Sequence, residues 1–200
     1  ELDCEALTQR LGSGFWHKGI FTTGTILVNP ARLISGLAGA LPKNVTLYYD
    51  TPALAMRTGK ETQIFTPQGE VLAQQVMLAT NALSPELMPG LFRRQASMAT
   101  FASLTQPLTV QQMVKLPREM RSWGRTPVNA IAGATLRFTS DRRFLIRQHV
   151  IPALRGAVSS EQTRHAARLH RKLFSRMYPQ LGGDVTLAKT WSGTISVTRN

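Results

Sequence analysis

The residue types in this chain that most readily do chemistry are four histidines, one cysteine and a short glycine-rich step at Gly12-Ser13-Gly14. His165 and His170 lie five residues apart, which places them on different sides of a helix, and Cys4 has no second thiol to pair with. A metal centre, a thiolate cluster and an intramolecular disulfide are therefore not expected. A serine hydrolase needs Gly-x-Ser-x-Gly on a strand-to-helix turn, and Gly12-Ser13-Gly14 lacks that spacing. His17, His149, His165 and His170 read as ordinary surface or core residues. A dinucleotide grip needs three glycines spaced G-x-G-x-x-G between a strand and a helix, so that backbone N–H groups meet the pyrophosphate. Here the third place holds His17, and the preceding segment is helical in pattern. No Walker-type phosphate loop occurs, and no motif nominates a catalytic residue.

Behind these residues stand elements that local chemistry defines. Residues 3–11 read as a short helix stopped by Gly12, and residues 19–24 as a strand and turn. Asn29 can cap a helix whose first position is Pro30, where a missing N–H costs nothing. Leu33, Ile34, Leu37 and Leu41 form its expected buried stripe, Pro42 ends it, and residues 45–49 read as the following strand. The spacing then changes to period two. Residues 63–66, a turn at 67–69 and residues 70–73 make a β-meander that returns through an apolar strand at 76–79. Pro85, Pro89 and Gly90 break the chain, which sets a boundary between a lobe at 1–92 and a lobe at 93–200. In the second lobe, strands are expected at 96–105 and 130–139, the latter turning at Ser140-Asp141 into 143–147, and a further strand at 184–193. Between the last two, Ala166, Leu169, Leu173 and Met177 recur at helical spacing on a helix with a basic outer face.

Composition bounds the class. Two hundred residues with 42% apolar content suffice for a core. No apolar run is long enough to span a bilayer, and the chain opens on Glu-Leu-Asp-Cys-Glu where a secretory signal would be basic, so a cytoplasmic protein is expected. The net charge of +13 is uneven: six Lys or Arg face seven Asp or Glu in residues 1–92, and eighteen face four in 93–200. Such a field suits an acidic partner, yet no nucleic-acid motif accompanies it, and a solvated helix face is the simpler reading.

The order of these features, with Asn29-Pro30 before a helix, Leu78-Ala-Thr-Asn-Ala82 after a buried strand, then residues 136–147, the basic helix and Trp191-Ser-Gly193, resembles one family. It is similar to the FAD-dependent oxidoreductases of the D-amino acid oxidase and glycine oxidase superfamily, and within them to an amine-oxidising branch that includes the gamma-glutamylputrescine oxidases. The resemblance implies an α+β fold in which an incomplete FAD-binding lobe, a helix plus a β-meander, joins a mostly antiparallel substrate-domain sheet covered by the basic helix. It implies that Ala53, in the segment Thr51-Pro-Ala53, lies beside the adenine end of FAD, and that Ala79, Thr80 and Asn81 lie near its dinucleotide portion. The family usually has glycine at the place of Asn81, a residue that tolerates left-handed backbone angles.

In the second lobe the resemblance places Trp191 on the strand leading to the substrate, although a lone Trp is more often core, and we read it as core first. Amino-acid oxidases of this family hold the substrate carboxylate with an arginine just after the Trp-x-Gly element, and here that place is Ile195. This tilts the expectation toward an amine, with Arg137 or Arg147 able to substitute. The implied reaction is transfer of hydride from the carbon beside a neutral amine to the flavin, hydrolysis of the imine, and reoxidation of the flavin by oxygen to give hydrogen peroxide. Because the glycine loop and the family's closing flavin segment are missing from these residues, the isolated chain is expected to be inactive and to need flanking segments of the same protein. The rival expectation is a non-catalytic basic module that binds nucleic acid or another acidic surface through residues 93–200.

Overall fold

The computed structural model describes residues 1–24, 26, 28–121, 133–153, 157–183 and 185–198. Its secondary structure is mixed α and antiparallel β, as expected. Packing divides the chain into two interleaved units, Glu1–Ile26 with Met98–Thr194, and Leu27–Ser97 with Ile195–Asn200.

In the first unit the chain opens with α1 (Cys4–Leu11), whose N-cap Asp3 accepts from the Ala6 N–H at 2.9 Å. Gly12 ends it at φ 67° with its N–H on the Thr8 carbonyl. Strands β4 (Gln95–Thr105), β5 (Thr135–Phe138), β6 (Phe144–Pro152) and β7 (Leu187–Thr198) form one sheet in the order β5-β6-β4-β7. Strand β6 runs antiparallel to both β5 and β4. The β5–β6 hairpin turns where expected. Thr139 accepts from the Arg143 N–H at 3.0 Å, and Asp141 takes both the Thr139 hydroxyl and the Arg143 guanidinium. These bonds, the Thr139 one foremost, hold the Asp141 carboxyl below its ordinary pKa. Residues 130–132 of the expected strand lie outside the described residues.

One face of this sheet is buried. Ala99, Phe101, Ser103 and Thr105 of β4 alternate with half-buried neighbours, and Leu136, Phe138, Phe144 and Ile146 continue the face. Against it lie α4 (Val110–Val114) and the basic helix α5 (Ser160–Met177), each opened by a capping box that satisfies free backbone donors. The buried line of α5 is Ala166, His170, Phe174 and Met177. This corrects the expected stripe, since Leu169 and Leu173 are only half-buried. The line keeps Ala166 and Met177 and moves by one residue in its middle, where His170 has its hydrogen-bond partners in the sheet. Leu7, Leu11 and Trp16 enter the same core as Leu116, Phe144 and Tyr178, so the first 26 residues cluster with the later sheet.

Gly12 is a point of close approach. A Cβ there would sit 2.3 Å from Pro117 Cδ, on a backbone at φ +67°. Gly12→Ala should destabilise the chain by about 2–4 kcal/mol, summing left-handed strain and overpacking. A urea melt of that variant checks this, and a loss below about 0.5 kcal/mol would mean that the loop yields.

The second unit holds α2 (Pro30–Gly39) and the antiparallel meander β1 (Ala55–Arg57), β2 (Thr62–Thr66) and β3 (Gly69–Ala73). Asn29 caps α2 as expected, accepting from the Arg32 N–H at 3.1 Å. Its stripe is not buried, however: Leu33, Ile34, Leu37 and Leu41 are 45%, 64%, 56% and 40% exposed. Amphipathic spacing says that a face wants cover, and nothing within the described residues covers this one. Residues 45–49 and 76–79, expected as strands, have no ladder partners among the described residues. Residues 19–24 make only a single bridge, Gly19 to Leu2.

Candidate functional site

In the second unit, Thr51 turns the chain with its hydroxyl donating to the Tyr49 carbonyl at 2.7 Å. Ala53 follows, exposed, just before the Leu54 N–H joins the meander on the Phe65 carbonyl at 2.8 Å. Ala79, Thr80 and Asn81 are also exposed. Asn81 takes φ +50°, the left-handed conformation that its residue type tolerates. Thr80 starts the turn, with its carbonyl accepting from the Leu83 N–H at 3.0 Å and its hydroxyl 3.0 Å from that of Ser84. The short helix α3 (Ser84–Leu87) that follows packs against β1. The two segments therefore adjoin one element: 51–53 leads into β1, and 79–81 leads into the helix beside it.

Gly12-Ser13-Gly14 is committed elsewhere. Gly12 ends α1 against Pro117, and the buried Ser13 hydroxyl donates to the Met177 carbonyl. It ends a helix rather than opening one.

In the first unit, the register pairs Thr135 with Arg147 and Arg137 with Leu145, so Arg137 and Arg147 stand diagonally on the sheet face opposite α5. Arg147 donates to the Thr135 hydroxyl at 3.3 Å. Ala102 of β4, directly across from Arg147, leaves room beside the guanidinium. On β7, Thr190 faces the α5 side, because its hydroxyl is 2.8 Å from that of Ser103. Alternation then puts Trp191 on the same face as Arg147. Trp191 is 36% exposed, which overturns the reading of it as core. Ile195, 38% exposed on the same strand, belongs to the second unit.

Sequence reasoning missed the polar cluster behind this face. His170 is fully buried and uses both ring nitrogens: Nε2 lies 2.9 Å from the Gln148 carbonyl and Nδ1 2.7 Å from the Ser103 hydroxyl. A carbonyl only accepts, so Nε2 carries the proton. Nδ1 then accepts from Ser103, whose oxygen in turn accepts from Thr190. Burial is the main cause that holds His170 below the ordinary histidine pKa; the Gln148 carbonyl opposes it and His149 adds to it. The signal was present in the spacing 166, 170, 174, 177, which includes a residue not counted as apolar.

The cluster sits beside a β-bulge. The β4–β6 register steps from Thr100–Val150 to Phe101–Gln148, leaving His149 unpaired at φ +74°. Among the described residues no three metal-ligating side chains converge, and no helix is long and apolar enough to cross a membrane.

A family model described as "FAD dependent oxidoreductase" matches residues 2–200. A curated relative, the "Probable oxidoreductase OrdL" of Rhizobium meliloti (strain 1021), is 27% identical over 199 residues, which cover 98% of this chain and 44% of the relative. Among solved structures, glycine oxidase from Geobacillus kaustophilus superposes with a TM-score of 0.56 at 17% identity, covering 77% of this chain and 38% of that one. NikD, described as an unusual amino acid oxidase essential for nikkomycin biosynthesis, does so at 0.54 and 11% identity, over 75% and 39%. At these identities the structural likeness concerns the fold. The chain spans less than half the length of the relatives it matches.

Proposed function

The chain belongs to the family of FAD-dependent oxidoreductases, and from that premise we propose that the complete protein oxidises the C–N bond of an amine or amino acid, with oxygen as the final electron acceptor. In this reading the first unit is the substrate lobe and the second a partial flavin lobe. The observation that carries it is the sheet face opposite α5, where the register sets Arg137 and Arg147 diagonally and alternation adds Trp191.

The fit to FAD is partial. Ala53 and residues 79–81 offer exposed backbone that a dinucleotide could lie along. No glycine-rich strand–turn–helix among the described residues supplies a pyrophosphate cradle, so further segments of the protein must do so. The exposed stripe of α2 gives them an apolar face to pack on. When bound, the flavin supplies hydride acceptance. The chain's own residues bind and orient: Trp191 offers an apolar wall, and a guanidinium at Arg147 or Arg137 can take a carboxylate in two parallel bonds. Ile195 offers no such bond at the place where the family resemblance implies a carboxylate-holding arginine, which favours an amine.

The test uses the protein extended on both sides to the length of its relatives. Flavin absorbance and peroxide release with a panel of amines and amino acids are the expected results, with neither from these 200 residues alone. Absence of flavin in every longer form, with binding to DNA that weakens steeply with salt, would instead establish the basic face of α5 as the working surface. If an amino acid is the substrate, Arg147→Gln or Arg137→Gln should raise its KM by roughly ten- to a hundredfold, the value of a lost charged hydrogen bond. Turnover of simple amines should be unchanged. A substrate panel on which neither arginine matters would confine the protein to amines.

A further inference from the structure

Three histidines gather at the bulge end of the first unit, and only one of them is fully employed. His170 has both nitrogens bonded. The side chains of His149 and His165 make no hydrogen bond or ion pair among the described residues, yet their rings lie 5.6 Å apart at 57°. They border a groove of about 230 Å³ between β6 and α5, with Ile151, Glu161, Gln162 and Arg168 as the other walls. His149 reaches the groove only because of the bulge, where it occupies a backbone conformation that suits glycine. Its other side rests on Phe101, at 5.4 Å.

We propose that His149 and His165 together bind one borderline divalent cation of the Zn2+, Ni2+ or Cu2+ class, fastening α5 to the bulge of β6. Imidazole is a preferred ligand of these ions. With metal–nitrogen bonds of about 2.0–2.1 Å, a ring centre lies about 3.2 Å from the metal, and two rings at tetrahedral to trigonal angles have centres about 5.2–5.5 Å apart. The 5.6 Å between the two ring centres lies next to that range. Burial, and then the charge of His165, hold His149 below the ordinary histidine pKa. Glu161 lowers the cost of bringing a cation into the groove and Arg168 raises it; water completes the coordination. The site lies on the α5 side of the sheet, away from Arg147 and Trp191, and does not depend on the flavin reading.

Calorimetric titration of the 200-residue chain with zinc chloride at pH 7.5 tests this. One equivalent should bind. Affinity should fall at least tenfold in His149→Gly and in His165→Gln and stay constant in His17→Gln. His149→Gly suits the purpose because glycine takes the left-handed bulge freely, so the ligand is lost and the fold kept, which circular dichroism verifies. Added Ni2+ should broaden the ring signals of His149 and His165 selectively in proton spectra. Absence of zinc binding, or equal affinity in all four proteins, would overturn the proposal.

Discussion

Truncating Phe144 to alanine should remove roughly 3–5 kcal/mol of stability, the range for deleting a fully buried aromatic ring. Phe144 is 0% exposed, and its ring meets Phe138 and Phe174 at 5.0 Å and Tyr178 at 5.1 Å. It thus joins the hairpin, α5 and the segment after α5 through edge-to-face and tilted contacts, which add to area burial. Three rigid neighbours on separate elements cannot all close over the gap, so the cavity persists. Urea denaturation followed by Trp16 fluorescence reads the loss, because Trp16 lies in the same core. A loss below about 1.5 kcal/mol would show that these rings repack freely. Phe144→Leu should cost less than the alanine variant.

Replacing His170 with leucine should cost about 2–4 kcal/mol even though size and burial are kept. The change removes the His170 partner of the Gln148 carbonyl and leaves the Ser103 hydroxyl with Thr190 alone, and an unsatisfied buried polar group costs about 1–3 kcal/mol. The same residue sets a pH dependence. In the unfolded chain a histidine takes up its proton near pH 6.5, whereas His170 in the fold does so only at lower pH. Below pH 6.5 the unfolded state therefore holds more protons, and stability falls as pH falls. Above pH 6.5 the contribution is complete. The slope from this one group is at most about 1.4 kcal/mol per pH unit. His149, also held low, acts in the same direction, as does Asp141 in stronger acid. Melts of wild type and His170→Leu between pH 7.5 and 4.5 isolate the His170 share, and the variant should show the shallower decline. Parallel curves would mean that His170 is not kept neutral by the fold.

Much of the fold was legible because its causes are local. Asn29 caps α2 from three residues away, Gly12 stops α1, and Thr139 and Asp141 turn the hairpin, all through bonds spanning four residues or fewer. Less of the candidate site was legible. The resemblance named Ala53, residues 79–81, Arg137, Arg147 and Trp191, but period alone could not tell whether Trp191 was core or wall. The hydrogen bond from Thr190 to Ser103, 87 residues apart, is what assigns its face.

The sequence by itself determined the stop of α1, the cap of α2, the β2–β3 pair of the meander, the β5–β6 hairpin, the basic face of α5 and the family, since each rests on residue types at short or ordered spacing. Tertiary structure decided what those elements do with one another. Among the described residues the expected strands at 45–49 and 76–79 have no ladder partner, and the stripe of α2 has no cover. His170 became part of a core because Ser103, 67 positions earlier, and the Gln148 carbonyl offered it hydrogen bonds. Capping and turning are satisfied within a few residues of chain. Burial and strand pairing need partners brought from far along it, and only the folded arrangement supplies them.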